Sequence, residues 1–291
     1  MSRDEVGRVA SKVMWLVFRV SLTVAGFLVL FALLYPVFFI VLQSFYSKPS
    51  LIEDPVKALG MLTIENYVRA VASPEFASAI QMSLLISLLT VLVSVVVITP
   101  AAYAFSRFHF KGRDMVLYIY LILSQAGGGF GVVAVIALLM FLLVLSSYGV
   151  PAYGWHVLPL IYSAGLVPFQ TWLLKSYFDN LPRELDEAAF IDGADWGTII
   201  YRIVLPSSRP AVIIITLFAF MSAWGEFFIA NLLRVNTIGA YIYMTAFGER
   251  GLQDPSVYAA LSLIYAFPII VIYMVAQRYM GEAYRLGIVK G

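Results

Sequence analysis

The sequence predicts an all-α integral membrane protein with six transmembrane helices, both termini in the cytoplasm, and one polar helical hairpin on the cytoplasmic side. Three observations predict it. Of the 291 residues 62% are hydrophobic and 12% charged, about half the roughly 25% charged share of an ordinary soluble domain, so lipid has to cover much of the outside. Several stretches free of charge are long enough to cross a bilayer. Lys and Arg fall unevenly on alternate connections between those stretches.

An ionised side chain at the bilayer centre costs about 2.5 to 3.5 kcal/mol, so long uncharged runs read as spans. One lies between Arg19 and Lys48, and a second between Glu75 and Arg107. A third run, from Asp114 to Lys175, carries only His156 and is long enough for two spans. Its hinge is Ser146-Ser147-Tyr148-Gly149-Val150-Pro151, whose small, glycine and proline residues supply a turn. The fifth span runs from Pro210 to Leu233 with Glu226 as its sole charge, and the sixth from Pro255 to Gln277. The chain is thus one transmembrane domain, 1–291. Helix 1 covers about 18–43, an extracytoplasmic segment 44–75, helices 2–6 about 77–280, and a tail 281–291. The first run exceeds the h-region of a signal peptide and lacks an A-x-A site, so it reads as a retained anchor.

Orientation follows from the basic residues, which the cytoplasmic side retains. The amino-terminal segment, the second-to-third connection, the fourth-to-fifth connection and the tail together hold 14 Lys and Arg, and the opposite connections hold 5. Both termini are therefore expected inside, as in a multi-pass protein of the cytoplasmic membrane.

The fourth-to-fifth connection, 180–206, contains the hairpin. Leu181-Pro182-Arg183-Glu184 opens a short helix, with Pro182 in its first turn and Glu184, Asp186 and Glu187 at the positive end of its dipole. Gly193 closes it in a left-handed conformation, Asp195 caps a second helix, and Pro206 ends that one. Periodicity alone also fits an amphipathic hairpin resting on lipid.

Composition excludes much chemistry. With no cysteine and two separated histidines, His109 and His156, there is no disulfide framework, thiolate metal site or histidine cage. A net charge of +2 carries no nucleic-acid signature. No G-x-x-x-x-G-K-[ST] stretch is present, so this chain does not bind ATP through a P-loop.

The segment Glu187-Ala188-Ala189-Phe190-Ile191-Asp192-Gly193-Ala194, followed by Ile203-Val204-Leu205-Pro206, resembles the EAA loop of binding-protein-dependent ABC importer permeases. Pro168-Phe169-Gln170-Thr171-Trp172-Leu173, the Arg209-Pro210 pair and the closing Gly287-Ile288-Val289-Lys290-Gly291 are similar to maltose-type carbohydrate permeases. The resemblance covers roughly the last two thirds of the chain. It implies the type I ABC importer permease fold and makes the hairpin a coupling helix. In that reading Glu187 is a polar contact to a cytoplasmic ATPase, Ala188 and Ala189 give close approach, and Gly193 supplies the turn. Asp192, Ile203, Leu205 and Pro206 complete the motif. The implied partners are a second homologous permease subunit, two ABC ATPase subunits that bind ATP and magnesium, and an extracytoplasmic solute-binding protein. This chain itself would be no enzyme and bind no cofactor.

Polar residues at membrane depth are the candidates for a solute path. Glu226 leads, and Trp224-Gly225-Glu226-Phe227 resembles the W-N-E-F of sugar permeases with Gly225 in place of asparagine. A buried structural carboxylate bonded to a neighbouring helix or to the partner subunit is the alternative role for Glu226. Gln125, Gln170 and Asn231 are candidates of the same type. Gly127-Gly128-Gly129 departs from the family pattern and reads either as a broken pore helix or as close packing by small residues. A sugar importer is the first reading. An importer of another solute, such as a glycerol phosphate or a polyamine, is the second. A secondary carrier or membrane enzyme lacks the coupling carboxylates or catalytic cluster it would need.

Overall fold

The computed structural model describes the backbone of residues 3–247 and 254–288, and the side chains of residues 14–122, 133–246 and 254–278. Among the described residues all regular structure is helical, apart from one isolated bridge between Tyr46 and Leu62. The chain divides into two compact units, Met1–Val71 with Leu252–Leu263, and Ala72–Gly251 with Ile264–Gly291.

In the first unit, α1 (Arg3–Ser44) starts well before the expected residue 18, because polar residues ahead of Arg19 continue the helix and no proline interrupts it before Pro36. Its apolar window has no residue buried within the chain, so lipid or another chain has to cover it. The segment after it folds into α2 (Pro55–Ala58) and α3 (Glu65–Val71). Asp54 caps α2, and hydrogen bonds from the Lys57 backbone and side chain hold its carboxyl below the usual carboxylate range. Asn66 Nδ2 donates to the carbonyls of Ser44 and Tyr46, closing the chain reversal after α1. Gln43 accepts from Ile52 N and donates to Ser50 O and to Ser256 Oγ. Arg69 pairs with Asp254 at 2.7 Å.

The second unit is built on α4 (Pro74–Arg107), which packs against the later helices α6 (Leu158–Phe178) and α10 (Arg209–Gly225). Ser73 caps α4 by accepting from Phe76 N, with Pro74 in the first turn where its missing N–H costs nothing. α4 and α6 meet through small polar residues: Ser94 Oγ donates to Ser163 Oγ, which donates to Thr90 O. Such residues let helix backbones approach closely. Helix α5 (Arg113–Ser147) is continuous through Gly127-Gly128-Gly129, whose surroundings lie outside the described side chains. It stops at the expected hinge, where Gly149 has φ +82°.

Three further boundaries differ from the sequence expectation. The fifth span is not one helix: α10 ends at Gly225, Glu226 is extended, and a short α11 (Phe228–Leu232) and α12 (Ile238–Phe247) follow. Pro206 does not end its helix. A π-helical stretch, Ile199–Val204, bonds Leu205 N to Ile200 O, and this wider turn admits the proline ring into α9 (Leu205–Ser207) before a 93° bend into α10. The expected tail begins helical, since α13 (Pro255–Ile288) runs on past residue 280 to Ile288.

Four helical segments are long and apolar enough to span a bilayer among the described residues: Met14–Ser44, Pro74–Arg107, Trp155–Phe178 and Pro255–Arg278. The bent pair Trp196–Ser207 and Arg209–Gly225 gives a fifth if counted as one span, and Val133–Ser147 is a shorter apolar helix.

Candidate functional site

The hairpin lies where the carboxyl-terminal end of α4, the end of α6 and the start of α10 meet. Its first helix, α7 (Glu184–Ile191), begins two residues after Pro182, so the proline precedes the first turn instead of occupying it. α7 ends in a Schellman motif: Ala194 N donates to Ala189 O at 2.9 Å and Gly193 N to Phe190 O at 3.0 Å. Gly193 has φ +80° there, a conformation in which a side chain is strained, although a Cβ would meet no atom of this chain within 4 Å. Asp195 then accepts from Thr198 N to start α8 (Trp196–Thr198). Hydrogen bonds from Thr198 hold the Asp195 carboxyl below the usual carboxylate range.

The hairpin is stiffened from beneath. Ala189, Ile199, Ile200 and Val204 join one buried cluster with Ile98, Ala102 and Tyr103 of α4, Leu174 and Phe178 of α6, and Ala211 and Ile215 of α10. Trp196 stands edge-on to Phe190 at 4.6 Å and to Phe108 at 5.3 Å between centroids. Arg107 reaches in from the end of α4: its Nε lies 2.6 Å from Asp186 Oδ2, with both side chains under 10% exposed, and its Nη2 donates to Leu181 O. Ser106 Oγ donates to Asp179, which also pairs with Lys175. A recess of about 160 Å³ bordered by Tyr103, Arg107, Arg183, Glu187, Phe190 and Trp196 opens beside α7.

The motif residues divide by face. Glu187, Ala188, Asp192, Gly193 and Pro206 are exposed, whereas Ala189 is buried and Ile203 and Leu205 half-buried. Glu187 and Ala188 thus face away from the chain, while Ala189 packs the hairpin onto it. Asp186 is the acidic residue of the first turn that turns inward.

The solute-path candidates gather less completely. Glu226 sits at the break after α10, where Oε1 accepts from Ile229 N at 2.7 Å, and Oε2 accepts from Ala230 N at 3.2 Å and from Tyr162 Oη at 2.5 Å. The carboxylate thus caps α11 and ties it to α6. Trp224 is fully buried, stacked between Phe220 and Tyr265, and its Nε1 donates to Tyr265 O. Asn231 is half-buried on α11. Gln170 is buried on α6, with neither side-chain amide atom hydrogen-bonded. Gln125 lies outside the described side chains. Tyr162, Tyr265 and Arg107 escape a sequence reading because their partners are 64, 41 and 79 positions away. The one local signal is that Gly225 and Glu226 interrupt an apolar run.

Long apolar helices with a polar hairpin seated on α4, α6 and α10 mark a membrane protein. The sequence matches the family of the binding-protein-dependent transport system inner membrane component over residues 94–285, and the chain belongs to that family. It is 32% identical over 281 residues to the trehalose/maltose transport system permease protein MalG of Thermococcus litoralis, covering 94% of this chain and 97% of that one. It is 30% identical over 266 residues to the galactooligosaccharides transport system permease protein GanQ of Bacillus subtilis, covering 89% and 91%. Its fold matches a chain in the crystal structure of a bacterial ABC transporter involved in the import of the acidic polysaccharide alginate. That match has a TM-score of 0.66 at 21% identity and covers 96% of this chain and 98% of the other. The family read from Glu187 to Pro206 in the sequence is thus the family found, and the protein is an inner-membrane component.

Proposed function

We propose that this chain is one of two permease subunits of an ATP-driven, binding-protein-dependent importer of a disaccharide or oligosaccharide, such as maltose or trehalose. It crosses the membrane six times with both termini in the cytoplasm, through α1, α4, α5, α6, the broken α10–α11 segment and α13. Two separate ABC ATPase chains bind ATP and magnesium, and a solute-binding protein delivers sugar from outside. The sugar assignment is supported by relatives named for trehalose/maltose and for galactooligosaccharides, at 30% identity or better over nearly the whole chain.

The observation that carries the mechanism is the build of the hairpin. A lever transmits displacement only if it is stiff, and this one is fixed by a Schellman turn, an Asp195 cap, an aromatic cluster and the Arg107–Asp186 pair. Its outer face keeps Glu187 and Ala188 free for a cleft in the ATPase, with Ile191 86% exposed beside them. Closure of the ATPase dimer then pushes α7, and the shared core passes the push into α4, α6 and α10. Sugar moves by alternating access and takes no part in a covalent step.

Reconstitution with its ATPase, second permease and binding protein tests this. Gly193→Val and Glu187→Lys should leave the complex inserted, yet abolish ATPase stimulation by loaded binding protein and reduce sugar uptake by about tenfold or more. Normal turnover and uptake in both variants would leave the hairpin a surface feature. Uptake of labelled glycerol phosphate or polyamine in place of maltose or trehalose would move the chain to another solute class.

A further inference from the structure

Proline has no N–H, so a proline inside a helix leaves the carbonyl four residues earlier without its intrahelical donor. In α4 that proline is Pro100 and the carbonyl is that of Val96. A bare carbonyl is costly in apolar surroundings, and here it is not bare: Tyr201 Oη donates to Val96 O at 3.1 Å. Tyr201 belongs to the hairpin, on the π-helical turn Ile199–Val204. The same hairpin holds α4 again beyond the proline, where Arg107 pairs with Asp186 and donates to Leu181 O.

The hairpin therefore grips α4 on both sides of Pro100, at Val96 before it and at Arg107 after it. A helix bends most readily at a proline, where one rung of its ladder is missing. When the hairpin turns relative to the part of α4 before Pro100, either α4 bends at Pro100 or one of the two grips lets go. We infer that Tyr201 is a positioning residue that converts hairpin displacement into bending of α4 at Pro100, by way of the carbonyl that Pro100 leaves open. The inference rests on the coupling role proposed above for the hairpin.

The geometry supplies its own control. Pro100→Ala restores an N–H that satisfies Val96 O within α4, so that carbonyl no longer depends on the Tyr201 hydroxyl. Tyr201→Phe removes only that hydroxyl and keeps the ring. In the reconstituted complex, Tyr201→Phe should lower sugar transported per ATP hydrolysed by roughly threefold or more, the scale seen for residues that modulate coupling without touching either ligand. In the Pro100→Ala background the same substitution should have no further effect. An equal loss in both backgrounds, or no loss beside Pro100, overturns the inference. A second measurement serves if Pro100→Ala does not assemble. The chain has no cysteine, so spin labels on Ala77→Cys and Lys111→Cys report the distance across Pro100 cleanly. The change in that distance on nucleotide trapping should shrink in Tyr201→Phe, and an unaltered change overturns the link. Glu187→Lys in the same preparation separates the two claims. If it uncouples while Tyr201→Phe does not, the link at Pro100 is wrong and the coupling hairpin stands. If neither uncouples, the hairpin reading falls and this inference falls with it.

Discussion

Tyr162 on α6 donates its hydroxyl to Glu226, the residue at which α10 stops. Because the same carboxylate accepts from the amides of Ile229 and Ala230, three donors converge on one side chain. Glu226→Gln should therefore harm the fold, although the shapes match. Its amide nitrogen would face donors that need an acceptor, leaving at least one of them unpaired at about 1–3 kcal/mol. The thermal midpoint of the purified complex should fall in the order wild type, Tyr162→Phe, Glu226→Gln, Glu226→Ala. A Glu226→Gln complex as stable as wild type but slow in uptake would mean that the charge serves the solute instead.

The turn after α11 repeats the one after α7. Val235 N donates to Ala230 O and Arg234 N to Asn231 O, so Arg234 occupies the position that Gly193 occupies in the hairpin. Arg234 has φ +54°, which costs a residue with a Cβ roughly 1 kcal/mol. Arg234→Gly should raise the stability of the complex by up to about that amount, measured by denaturation in detergent. A loss of stability would show that the Arg234 side chain makes a contact that outweighs the strain.

What the sequence made legible was local. Gly193 and Asp195 mark the hairpin by backbone chemistry that acts within a few residues, and the turn and cap appear where they set them, while Pro182 stands just ahead of the helix it was expected to open. The break at Glu226 was hidden because hydropathy measures side chains, and Pro210 to Leu233 carries no charge apart from Glu226. Only the paired Gly225 and Glu226 hinted at it. Pro206 misled for a related reason: the rule that proline ends a helix assumes α-helical bonding, and a π-turn relaxes it. Asp186 looked like a dipole-favoured surface acid. Its burial depends on Arg107, which no spacing rule connects to it.

Topology is open to direct measurement in the cysteine-free chain. Accessibility has to be separated from side, so the labelled positions have to be exposed ones. Ser50 and Ser207 are exposed and serve. With both termini inside, Ser50→Cys should react with an impermeant maleimide in intact cells, and Ser207→Cys only after permeabilisation. Labelling of Ser207→Cys from outside would invert the arrangement drawn from the 14 to 5 division of basic residues.

The Arg107–Asp186 pair makes the sharpest claim about what holds the hairpin down. Both side chains are under 10% exposed, so each ion has given up water and depends on the other. Removing one partner leaves a buried charge uncompensated, at about 3–5 kcal/mol, whereas replacing both by apolar residues of similar volume is often close to neutral. Arg107→Leu and Asp186→Leu should each loosen the hairpin, seen as faster tryptic cleavage at the exposed Arg183 and Arg202 and a lowered thermal midpoint. The double variant should regain most of both losses, since the hydrophobic cluster of Ile199, Ile200 and Val204 on Ile98 and Ala102 still seats the hairpin. If the single losses simply add in the double variant, the pair contributes no mutual compensation, and the packing beneath the hairpin holds it without help from the charges.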